Sequence, residues 1–126
     1  MDIIAVGIDA TDIPRVEDTL RRFGDRFLQR VFTAGEIAYC MRRRHPAPHL
    51  AARFAAKEAA MKALGTGLSQ GVTWRDIEVF RRHGPPQLQF HGTAAARFAS
   101  LRATRALLSL THAQSLALAQ VLFVKD

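Results

Sequence analysis

Residues 53–67 read Arg53-Phe54-Ala55-Ala56-Lys57-Glu58-Ala59-Ala60-Met61-Lys62-Ala63-Leu64-Gly65-Thr66-Gly67, and the rest of the chain is best read outward from them. Ala, Lys, Glu, Leu and Met are strong helix formers, so the run predicts a helix from about His49 to Leu64. Gly65 stops it, and Gly65-Thr66-Gly67 makes a flexible turn. Glu58 and Lys62 are four residues apart and share a face; alone, they would make an ion pair of about 0.3–0.5 kcal/mol. Ala55, Ala56, Ala59, Ala60 and Ala63 surround them. Such small side chains let neighbours pack closely, which would bury the pair unless an anion or a metal met it.

Upstream, Ile3 to Ile8 reads as a buried strand ending at Asp9. A strand-end carboxylate is rigidly placed; with Glu58 it would suit Mg²⁺, which takes one or two carboxylates plus phosphate oxygens and waters. Asp12 and Pro14 start a helix to about Phe23, with Arg15, Arg21 and Arg22 on its outer side. A short helix resumes through Arg30, and Thr33-Ala-Gly-Glu36 predicts a capped helix to about Arg42. Arg42-Arg43-Arg44-His45-Pro46-Ala47-Pro48 is a basic loop. Downstream, Asp76–Arg81 and Gln87–His91 read as strands around a turn at His83–Pro86. Thr93–Ala103 reads as a helix, and Leu107–Leu110 and Leu116–Val124 as strands joined at Thr111-His112. Early helices and later strands indicate an α+β fold with helices packed on an antiparallel sheet.

The chain has 126 residues, 18 Lys plus Arg against 11 Asp plus Glu, and a formal charge of +7. That length suits a single domain, 1–126, and the charge calls for an anionic partner. A lone cysteine, Cys40, excludes disulfide frameworks and multi-cysteine metal sites and fits a reducing cytoplasm. No apolar run has the length of a membrane span, and the N-terminus lacks a signal peptide's basic region. Neither a Walker pattern nor a Gly-x-Ser-x-Gly elbow is present, so Ser109 and His112 make a poor hydrolase. A helix C-terminus repels phosphate, so an anion near Gly65–Gly67 would depend on Lys62, arginines and metal.

Taken together, these stretches resemble the holo-acyl-carrier-protein synthases, the short type of phosphopantetheinyl transferase. Gly7-Ile8-Asp9 with Arg15 is similar to that family's first motif and Phe32-Thr33 with Glu36 to a second. Arg53–Gly67 is close to its central signature, Asp76–Val79 with Gly84 and Pro86 fits its strand and turn, and Ser109–His112 resembles its late motif, with Thr111 where Ser is usual. The resemblance covers nearly the whole chain. It implies transfer of the phosphopantetheine arm of coenzyme A to a serine of an apo acyl carrier protein, giving adenosine 3′,5′-bisphosphate. It also implies a homotrimer with sites between subunits.

On that resemblance, Asp9 and Glu58 hold Mg²⁺, Lys62 offsets charge on the leaving phosphate, and Glu58, or a metal-bound water it orients, takes the serine proton. Arg53, His112 and Arg44 contact nucleotide phosphates, and Gly65, Thr66 and Gly67 line the adenine side. Arg15, Arg22 and Arg26 dock the acidic carrier protein. Two rivals are a small basic nucleic-acid-binding domain and a stand-alone nucleotide phosphohydrolase. The former lacks an aromatic stacking set, with one Trp and one Tyr in the chain.

Overall fold

Helix α4 (Pro46–Leu64) is the element about which the chain is built, with 13 of its 19 residues buried. In the computed structural model, which describes residues 1–126, it is preceded by strand β1 (Asp2–Asp12) and helices α1 (Ile13–Phe23), α2 (Asp25–Val31) and α3 (Ala34–Met41). A 3₁₀ turn (Trp74–Asp76), hairpin β2 (Ile77–Phe80) and β3 (Gln87–Phe90), helix α5 (Gly92–Ser100), and strands β4 (Arg105–Ala113) and β5 (Leu116–Lys125) follow. The main sheet is antiparallel, in the order β1-β5-β4. The expected α+β architecture is therefore present.

The alanines explain how α4 lies so close to the sheet. Ala55, Ala56, Ala59, Ala60 and Ala63 pack with Ala119, Val121 and Phe123 of β5 and with Ile77 and Val79 of β2. The first half of the helix packs instead on Ile13 and Val16 of α1, Leu28 and Val31 of α2, Phe32 just after it, and Cys40 of α3. Gly7 of β1 completes the contact: a Cβ there would stand 1.8 Å from the Ala59 carbonyl oxygen. Cys40 is fully buried in this layer. Burial pushes its thiol up to about 11, against the pull of Arg53, so it is a packing residue and not a nucleophile.

Several boundaries differ from expectation. Strand β1 continues past Asp9 to Asp12, because the ladder with β5 extends to the Asp12–Leu116 pair. Asp12 precedes α1, but its side chain makes no capping bond. Helix α4 begins at Pro46, since proline lacks only an N–H that the first turn leaves unpaired anyway. Asp76 belongs to the 3₁₀ turn before β2. Helix α5 runs from Gly92 to Ser100, ending just before Arg102 turns left-handed at φ +64°. Thr111 and His112 lie within β4, opposite Leu118 and Ala117; the reversal comes at Gln114, also left-handed.

Candidate active site

Asp9 and Glu58 line one cleft of about 540 Å³, as their pairing required. Gly7 places β1 against Ala59 of α4, so Asp9, two residues along the same strand face, lies beside the helix that carries Glu58. Arg15, Val16 and Thr19 of α1, with Phe27 and Phe54, complete the wall. Lys62 stands at the edge, its Nζ donating to the Ile8 carbonyl at 2.9 Å and to Asp9 Oδ1 at 3.1 Å.

The expected burial of Glu58 and Lys62 as a pair is not found. The Lys62 side chain is 57% exposed and pairs with Asp9, while Glu58 is half-buried and accepts from Trp74 Nε1 at 3.2 Å. The buried lysine is Lys57, one position before Glu58 and therefore turned about 100° around the helix. Its Nζ lies 2.7 Å from Glu36 Oε1, with both side chains fully enclosed, and it also donates to the carbonyls of Trp74 and Ile77. Glu36 serves the expected capping box with Thr33 and also accepts from Val79 N. Burial holds the Lys57 ammonium below its ordinary pKa, with Glu36 opposing that shift. Glu78 is hydrogen-bonded by His91 and Thr33; burial would raise its carboxyl, but these bonds outweigh it and hold it low.

A second depression, of about 320 Å³, brings Arg53 and His112 together with Tyr39, His49 and Arg81. Arg53 is buried, no carboxylate pairs with it, and its Nε has no hydrogen-bond partner. Its guanidinium and that of Arg43 both stack on Tyr39, each 4.1 Å from the ring centre. Burial, then Arg53 and Arg43, lowers the His49 imidazole, whose ring lies 6.3 Å from that of His112. A buried, unpaired cation among further cations is the arrangement an anion satisfies.

The two depressions lie on different sides of α4. Residues 53 and 58 are separated by about 140° of helical rotation and roughly 7.5 Å of rise. Arg44 is exposed in the loop after α3 and lines neither depression. Gly65, left-handed at φ +79°, caps α4; Thr66 is buried with its hydroxyl on the Gly67 carbonyl, and these three residues also line neither. Arg15 joins the first cleft to an exposed basic surface holding Arg22 and Arg26. Sequence reasoning did not select Tyr39, His49, Arg81 or Trp74 as site residues; the one available signal was that Tyr39 and Trp74 are each the sole residue of their type.

The profile of the 4'-phosphopantetheinyl transferase superfamily matches residues 5–120, and the chain belongs to that family. It is 49% identical to the holo-[acyl-carrier-protein] synthase of Koribacter versatilis over 121 residues, covering 95% of this chain and 97% of that one. It is 50% identical to the corresponding enzyme of Methylobacterium nodulans over 125 residues, covering 97% and 95%. The holo-[acyl-carrier-protein] synthase crystal structure from Neisseria meningitidis superposes with a TM-score of 0.87 at 32% identity, covering 98% of this chain and all of that one. The Bacillus anthracis enzyme in complex with CoA (3',5'-ADP) gives 0.80 at 31% identity, with 98% of each chain covered. The likeness to holo-[acyl-carrier-protein] synthases read from the motifs therefore holds, and the nucleic-acid-binding reading finds no support. No helix is long and apolar enough to cross a membrane.

Proposed function

We propose that residues 1–126 form one transferase domain that moves the 4'-phosphopantetheine arm of coenzyme A to a serine of an apo acyl carrier protein, releasing adenosine 3',5'-bisphosphate. The observation that carries the reading is the carboxylate pair Asp9 and Glu58 in one cleft, beside a separate cationic pocket built on Arg53. The direct test is to mix the protein with coenzyme A, Mg²⁺ and an apo carrier protein and weigh the carrier. A carrier that does not gain the arm's mass overturns the reading.

The residues fit Mg²⁺ by donor chemistry: Asp9 and Glu58 are hard oxygen donors that line one cleft. Two carboxylates are the protein share Mg²⁺ commonly takes, leaving positions for diphosphate oxygens and waters. When bound, the ion supplies positive charge and alignment at the diphosphate.

The chain's own residues do the rest. The serine oxygen attacks the β-phosphorus, the bond to the bridging oxygen breaks, and adenosine 3',5'-bisphosphate leaves with that electron pair. Glu58 takes the serine proton, directly or through a water it orients. Lys62, held at the edge by Ile8 and Asp9, offsets charge on the leaving phosphate. Arg53, His112 and Arg44 contact nucleotide phosphates, and Gly65, Thr66 and Gly67 border the adenine.

These groups do not meet within one chain, and a homotrimer with sites between subunits accounts for that. Val6 and Ile8 of β1 are 53% and 57% exposed, and the same sheet face continues across Leu122 to Leu107. An apolar face of this kind is covered in a stable soluble protein. Sedimentation is expected to give three times the chain mass, and Val6→Glu to give monomers with little transfer activity; a fully active wild-type monomer would contradict the trimer.

Arg15, Arg22 and Arg26 form the carrier-protein surface. Phe23, 47% exposed, lies among them, giving an apolar spot rimmed by positive charge that matches an acidic amphipathic helix. Charge reversal at the three arginines is expected to raise KM for the carrier protein about 10-fold or more, with KM for coenzyme A within about twofold. Equal increases in both would refute this division.

A further inference from the structure

We propose that Trp74 is a positioning residue that fixes one oxygen of Glu58, and that Lys57 anchors it for this purpose. The inference rests on the transferase reading and concerns how its key carboxylate is held. Residues 57 and 58 are adjacent on α4, yet both reach residue 74: Lys57 Nζ donates to the Trp74 carbonyl at 3.0 Å, and Trp74 Nε1 donates to Glu58 Oε1 at 3.2 Å. The helix thus grips Trp74 at its backbone and is gripped back through its indole.

Each part of the brace is itself restrained. Lys57 cannot drift, because it is enclosed and paired with Glu36, which is fastened to Thr33 and Val79. The turn carrying Trp74 is closed by Thr73 N donating to Asp76 Oδ2 and Asp76 N donating to the Thr73 carbonyl, each at 3.1 Å. The indole packs on Phe54, 6.0 Å away and tilted 33°, and Phe54 is itself a wall of the Glu58 cleft. An indole N–H donates and cannot accept, so it occupies one carboxylate oxygen and leaves the other for the reaction. A glutamate on a helix otherwise has three rotatable torsions, and holding it in one arrangement keeps reacting groups in productive geometry.

Trp74→Phe tests this without removing the scaffold, since Phe keeps the ring contact with Phe54 and the carbonyl that Lys57 holds. With wild-type transfer measured alongside, kcat is expected to fall about 10-fold, the scale of one hydrogen bond to a charged group, while KM for coenzyme A stays within about twofold. Mg²⁺ half-saturation is expected to rise about threefold as the carboxylate loosens. A readout independent of activity comes from the chain's single tryptophan. In ¹⁵N-labelled, metal-free protein its one indole N–H cross-peak is expected to move upfield in Glu58→Ala, with solvent exchange about 10-fold faster. An unmoved cross-peak, or a Trp74→Phe enzyme with wild-type kcat and Mg²⁺ dependence, overturns the inference. Wild-type protein that transfers nothing would instead overturn the proposed function, and the cross-peak would still decide whether Trp74 holds Glu58.

Discussion

Glu58→Gln is expected to abolish transfer while leaving the fold in place. Mixed with coenzyme A, Mg²⁺ and apo carrier protein, the variant should modify the carrier at least about 10³-fold more slowly than wild type, combining loss of a proton acceptor with loss of a cation ligand. The fold should survive because Glu58 is half-buried and its one hydrogen bond is to the Trp74 indole, which the Gln carbonyl can still accept. A thermal midpoint within a few degrees of wild type would establish that loss of activity is chemical. Unchanged turnover would remove Glu58 from the site.

Gly7→Ala is expected to damage stability and activity together. The added carbon would stand 1.8 Å from the Ala59 carbonyl oxygen and 2.8 Å from its carbon, both backbone atoms of a buried helix. Neither side can yield by rotating a side chain, so β1 and α4 must separate. Overpacking of this kind costs about 3 kcal/mol, enough to lower the melting midpoint by roughly 10 °C in a chain of this size. Asp9 moves with β1 while Glu58 stays with α4, and a displacement of about 1 Å between catalytic groups is worth on the order of 10²-fold in rate. Gly84→Ala is the control: nothing lies within 4 Å of its added carbon, and stability and turnover should both be near wild type. A Gly7→Ala protein with wild-type melting and activity would mean that this close approach is not needed.

Much of the site was legible because its parts are local. Glu58 and Lys62 share a face because four residues make just over one helical turn; Glu58 lines the cleft that Asp9 enters, and Lys62 reaches Asp9. The Thr33–Glu36 capping box was readable because both partners lie within four residues. The sequence misjudged the lysines. Alanines surround positions 57, 58 and 62 alike, so composition cannot tell which charged residue points inward. That depends on Glu36 and on the Trp74 and Ile77 carbonyls, 17 to 21 residues away along the chain. Similarly, His49 and His112 show no helical or zinc-type spacing, and the 62 residues between them hide their neighbourhood around Arg53.

Propensity and spacing along the chain thus determined the central helix, the α+β order and the family likeness, since each depends on residues close in sequence or on motifs in fixed order. Tertiary structure alone decided which lysine is buried, that Trp74 braces Glu58, and that the carboxylate cleft and the Arg53 pocket open on different sides of α4. Those outcomes follow from which helix face meets which distant strand, a choice made by close packing at Gly7 and the alanines and by pairing of the charges left inside.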